Sequence, residues 1–191
     1  MKHTKHAIYL FLAAMIYAVV RYNVLGEVAW ANVPVYVTNK GLSWAGLALF
    51  GLSVASREKA DRRGYGTLAA GAILAHVVMS VLVLSPAYFT KFFSESGRMN
   101  GVGEASMLAG VLGCVVLGGL YTANLQAREA GASLRAGWGR AVLWLSAVHV
   151  LIMGFAGWLA PSGWPGYLPP ITLWSFLMAL YFLLARGRKG A

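Results

Sequence analysis

Apolar residues fall in runs of about twenty along the chain, separated by short clusters of charged, aromatic, glycine and proline residues. A bilayer core about 30 Å thick takes roughly 20 helical residues per crossing. The pattern therefore predicts helices over about 7–24, 33–56, 65–84, 104–124, 138–159 and 168–186. With short loops these occupy residues 1–191, so the chain reads as one all-α integral membrane domain, a six-transmembrane-helix bundle. Two of the runs are interrupted in the same way. LAAGAILAHVVMSVLVL, Leu68–Leu84, carries one ionisable residue, His76, near its centre, and AVLWLSAVHVLIMGFAGWL, Ala141–Leu159, carries His149. The other histidines, His3 and His6, lie in the N-terminal MKHTKH.

Composition agrees with the pattern: 59% of residues are hydrophobic, 12% are charged and the mean hydropathy is +0.64, values unsuited to a polar-surfaced soluble domain. The net charge of +10 would suggest nucleic acid in a soluble protein. Here the cations sit at helix ends, so nucleic-acid binding is set aside. The N-terminus, the 2–3 connection, the 4–5 connection and the tail carry 2, 4, 3 and 3 Lys or Arg, whereas the opposite connections carry 2, 2 and 0. By the positive-inside rule both termini lie in the cytoplasm. Cys114 is the single cysteine and offers neither a disulfide nor a thiolate cluster. No Gly-rich nucleotide loop follows a strand-like run, so flavin or nicotinamide chemistry would have to come from a partner.

Ala7–Val20 after the basic tip reads as an uncleaved first helix, with His3 and His6 in a solvated cytoplasmic tip. Asn39 and Lys40 fall more than a turn inside the second helix. Lys40 either snorkels to the headgroups or, with Arg21, faces the bundle and holds an anionic group. The fourth helix is rich in small residues, among them Ser106, Ala109, Gly110 and Gly113, which permit close approach of a helix or a flat ligand.

His76 is expected about 15 Å from either end of its helix, and His149 about 14 Å from the inner end of its own, at 1.5 Å per residue. Ionisable groups at such depth are costly and usually face the bundle interior. Neutral imidazole is the cheapest of them and a good metal ligand. Two histidines without a nearby acid or thiolate do not complete a tetrahedral zinc site, but they do complete the axial pair of a b-type haem, whose porphyrin supplies four ligands. Ser80 and Ser146 share faces with the two histidines and are candidate acceptors for the second ring N–H. The competing reading is that each histidine only hydrogen-bonds between helices as packing glue.

The pattern resembles a known family. Six helices with a histidine in the third and fifth look like the ferric-reductase-like transmembrane domain of ferric reductases, NADPH oxidases, the STEAP metalloreductases and the haem subunit of the bacterial methionine sulfoxide reductase system. The local text is similar in NKGLSWAGLALFGLSVA, in RRGYGTLAAGAILAH and in the Trp-Gly-Arg start of helix 5 ahead of AVH. Two-haem members carry a second histidine about four turns away on each helix. Here those positions hold Arg62, Thr90, Arg135 and Gly163. The resemblance thus implies one haem b, bound by His76 and His149, and the family's cytoplasmic flavin and nicotinamide module has no counterpart.

The expected function is one-electron transfer within or across the membrane, as the electron-transfer subunit of an oxidoreductase in a bacterial inner (cytoplasmic) membrane. The donor would be a flavoprotein or quinol, near Arg62 and Arg63, and the acceptor extracytoplasmic. The candidate cofactor and metal residues are His76 and His149, with Lys40 and Arg21 as propionate or substrate contacts. The rival readings are a haem-free membrane anchor or assembly subunit, and a small transporter that uses the intramembrane histidines.

Overall fold

In the computed structural model, which describes residues 1–125 and 132–187, the chain forms six α-helices: α1 (Lys2–Val19), α2 (Thr38–Ala55), α3 (Lys59–Leu82), α4 (Gly101–Leu125), α5 (Ala132–Trp158) and α6 (Ile171–Gly187). Arg128, Arg188 and Lys189, counted above among the inner charges, lie outside the described residues. Among the described residues five helical segments, all but α2, are long and apolar enough to cross a membrane. The chain is an all-helical membrane protein, and its outward faces agree: Leu74, Val81 and Leu82 on α3 and Leu108 and Val115 on α4 are exposed.

α2 is the most enclosed helix, with 11 buried residues among 18, and packs on α1, α3, α5 and α6. A helix wrapped by protein needs less hydropathy than one that meets lipid, which is why its sequence alternates small, polar and apolar residues. Its partner α3 begins earlier than the charge pattern predicts. Lys59–Arg63 were expected in a loop but form the first turns of α3, leaving only residues 56–58 to reverse the chain. Asp61 in the first turn suits the positive end of the helix dipole, and Ser53 Oγ donates to the Arg62 carbonyl at 2.8 Å.

Residue pairing then fixes the directions. Asn39 meets Ser80, Gly46 meets Ile73 and Gly66 meets Ser53, so α2 and α3 form an antiparallel hairpin. Ser106 meets His149, Gly113 meets Leu145 and Gly119 meets Trp138, so α4 and α5 form a second one. The main core joins α2, α5 and α6 through Leu47, Phe50, Leu143, Ala179 and Leu183.

A Cβ at Gly51 would run into the Phe182 ring of α6. Overpacking a filled core costs typically 1–3 kcal/mol, so Gly51→Ala should lower the thermal midpoint in detergent by several degrees, whereas Gly71→Ala, with nothing within 4 Å of the added atom, should not. A differential-scanning measurement on the two variants checks this.

The N-terminal tip is largely exposed but is also tied to α3. His3 Nε2 lies 2.7 Å from Asp61 Oδ1, and Lys2 Nζ donates to Asp61 Oδ2 at 3.1 Å. His6 Nδ1 lies 2.6 Å from Tyr65 Oη, and Tyr65 is itself buried. The tip is thus fastened to the start of α3 because α3 brings Asp61 and Tyr65 to the same end of the bundle.

Candidate cofactor site

Among the described residues α3 makes no extensive contact with α4 or α5, and the space between the two hairpins is a cavity of about 480 Å³. Both His76 and His149 line it. The volume is within the roughly 300–1,000 Å³ of typical ligand sites, and the lining is apolar apart from a few hydroxyls, Asn39, Lys40 and the two imidazoles.

Each histidine sits on the second helix of its hairpin and is held by the first. His76 Nδ1 lies 2.6 Å from Asn39 Oδ1 on α2, and Asn39 Nδ2 in turn donates to Ser80 Oγ at 3.0 Å. His149 Nδ1 lies 2.7 Å from the Ser106 backbone carbonyl on α4, with Ser106 Oγ at 3.2 Å. Carbonyl oxygens only accept, so both rings carry their proton on Nδ1. Among the described residues neither Nε2 has a hydrogen-bond partner, which leaves two lone pairs available to the cavity.

The wall beside His149 is shaped for this. Ser106, Ala109, Gly110 and Gly113 fall on one face of α4 by helical spacing, and a Cβ at Gly110 would stand 3.2 Å from His149 Nδ1. The small residues therefore let α4 approach the imidazole closely enough to offer its backbone carbonyl. Ser106 is fully buried, at 0% exposure.

These residues fit a bis-imidazole haem. Both rings are fixed in the tautomer that presents Nε2, each through a carbonyl acceptor of the kind that orients metal-bound histidines. Among the described residues no three His, Cys, Asp or Glu side chains come together as a metal set. Two imidazoles suffice only where the ligand brings its own equatorial donors.

The expected supporting residues are placed unevenly. Ser80 stands 3.4 Å from His76 Nδ1 and acts chiefly through Asn39. Ser146 lines the cavity, but the hydrogen bonds to His149 come from Ser106. Asn39 and Ser106 hold the two histidines from outside the helices that carry them. Their signal was a polar or small residue on the preceding helix, visible only once the hairpin register is known.

Lys40 lines the cavity with its ammonium over the Tyr36 and Tyr22 rings, 4.1 and 4.9 Å from their centroids. Arg21 is buried in a π-helical turn, Val20–Val24, that ends the first helix. Its Nε donates to the carbonyls of Leu168 and Pro169 at 2.9 Å, fastening that turn to the segment before α6, and Arg21 is not among the cavity-lining residues. Arg62 and Arg63 belong to the basic end of α3, where the Arg62 guanidinium caps the Ser56 and Arg57 carbonyls. Against known proteins, the chain matches no family model and no curated relative.

Proposed function

We propose that the protein binds one b-type haem between His76 and His149 and serves one-electron transfer within or across a membrane, in the manner of the ferric-reductase-like domains. The observation that carries this reading is the pair of histidines that line one cavity, both tied at Nδ1 and, among the described residues, both without a hydrogen-bond partner at Nε2. A haem held by two imidazoles supplies an iron centre that takes up and releases single electrons. The chain's own part is to present the two lone pairs, fix both tautomers through Asn39 and the Ser106 carbonyl, and surround the site with apolar side chains that exclude water.

In this reading α2 is a sixth crossing, sheltered by its neighbours, and both termini face the cytoplasm of a bacterial inner membrane. The contact of the N-terminal tip with Asp61 supports part of that topology, since it puts the tip on the same side as Arg57, Lys59, Arg62 and Arg63. That basic end would receive the electron donor, an acidic flavoprotein surface, with a quinol as the other donor class. The acceptor then lies at the opposite face.

Purified protein should show a Soret band with low-spin α and β bands and one haem per chain by haemochrome assay. A protein that carries the helical circular dichroism of the fold but takes up no haem, either during expression or on reconstitution, would sink the proposal and favour the anchor reading.

A further inference from the structure

The two rings account for the middle of the cavity; the end opposite the basic loop has its own chemistry. Residues 83–100, between α3 and α4, place aromatic rings over this end. Phe89 packs on Tyr36 at 5.9 Å and on Phe92 at 5.5 Å, and Phe89 and Phe92 both line the cavity. An ammonium flanks this roof on either side. Lys40 lies against Tyr36, and Lys91 lies 5.9 Å from the Phe92 centroid while Nζ donates to the carbonyl of Met153, another lining residue.

Neither ammonium has a carboxylate within salt-bridge distance: among the described residues the ion pairs are Lys2–Asp61 and His3–Asp61, at the other end of the bundle. Lys40 lines the cavity, and Lys91 stands exposed beside the lining residues Phe92 and Met153, so one positive charge in the cavity and another at its rim, with ring faces and one carbonyl as their partners among the described residues, favour an anion placed between them.

We infer that Lys40 and Lys91 together form a dicarboxylate clamp at the roofed end of the cavity, taking the two propionates of the haem. The inference rests on the haem reading and replaces Arg21, which is buried and bonded to Leu168 and Pro169 away from the lining, with Lys91, whose ammonium stands beside the lining residues Phe92 and Met153. The clamp orients the macrocycle, since only one edge of haem b carries charge, and it sets that edge toward the face opposite the basic loop. Hydrogen bonds to charged groups are among the stronger ones, and two of them correspond to roughly tenfold or more in affinity.

The test titrates haem-free protein in nanodiscs with haem b and with its dimethyl ester, which keeps the iron and ring but lacks both carboxylates. Soret absorbance reads each affinity. Wild type is expected to bind the diacid at least about tenfold more tightly than the diester. In K40M/K91M the preference should collapse toward one with diester affinity unchanged, the latter also reporting an intact fold, and K40R/K91R should retain it. Equal affinities in wild type, as when the lysines serve lipid phosphates instead, or an undiminished preference in K40M/K91M, overturn the clamp while leaving the haem reading in place. If neither porphyrin gives a ligated Soret band in wild type, both fall.

Discussion

His76→Ala and His149→Ala are each expected to abolish the bis-imidazole absorption spectrum while leaving a folded helical membrane protein. Each substitution removes one of two protein donors to the iron. What the fold itself loses is small by comparison. One hydrogen bond to Asn39 or to the Ser106 carbonyl is worth about 1 kcal/mol net, against a typical domain stability of 5–15 kcal/mol. The vacated space opens on a cavity that already exists, so no enclosed void is created. Free imidazole, small enough for that space, should restore part of the low-spin spectrum in either variant. Loss of haem binding with retained fold separates ligation from packing, because packing glue predicts altered stability and no spectral consequence. If either alanine variant keeps the wild-type spectrum, that histidine is not a ligand.

How much of this was legible beforehand follows from where the signal lies. The apolar runs and the two central histidines are local features, and the helices appear where those runs are. Boundaries moved where charge was read as loop. Lys59–Arg63 continue α3, so His76 lies 17 residues into its helix rather than at its middle, and His149 lies 17 residues into α5. Helix α6 starts at Ile171 rather than 168, because Leu168 and Pro169 each precede a proline, whose ring disfavours helical geometry in the residue before it, and Leu168 is extended. The missing half of the site was long-range. Asn39 lies 37 residues before His76, and Ser106 lies 43 before His149. Periodicity within one helix cannot report those pairings; the register of each hairpin decides them. With that register known, the two halves follow one plan, a preceding helix that offers a carbonyl to the histidine of the next, although no sequence repeat is visible.

The plan is unequal in one respect, and a second large effect follows from it. The acceptor for His149 is a backbone carbonyl, which no substitution removes, whereas the acceptor for His76 is the Asn39 side chain. Asn39→Ala leaves the His76 Nδ1–H with Ser80 Oγ at 3.4 Å as its remaining neighbour, too far for a good bond without rearrangement. Losing such an orienting partner typically costs 10–100-fold in metal affinity. Asn39→Ala should therefore weaken haem retention by about that factor, read as faster transfer of haem to excess apomyoglobin. Ser106→Ala, which keeps the carbonyl, should change it by less than about threefold, the loss of one weak neutral hydrogen bond. Asn39→Asp supplies a stronger acceptor and makes the imidazole a better donor to ferric iron, so the midpoint potential should fall relative to wild type while haem stays bound. Wild-type retention in Asn39→Ala, or an equal loss in Ser106→Ala, would mean that the Asn39 hydrogen bond serves helix packing and not the orientation of His76.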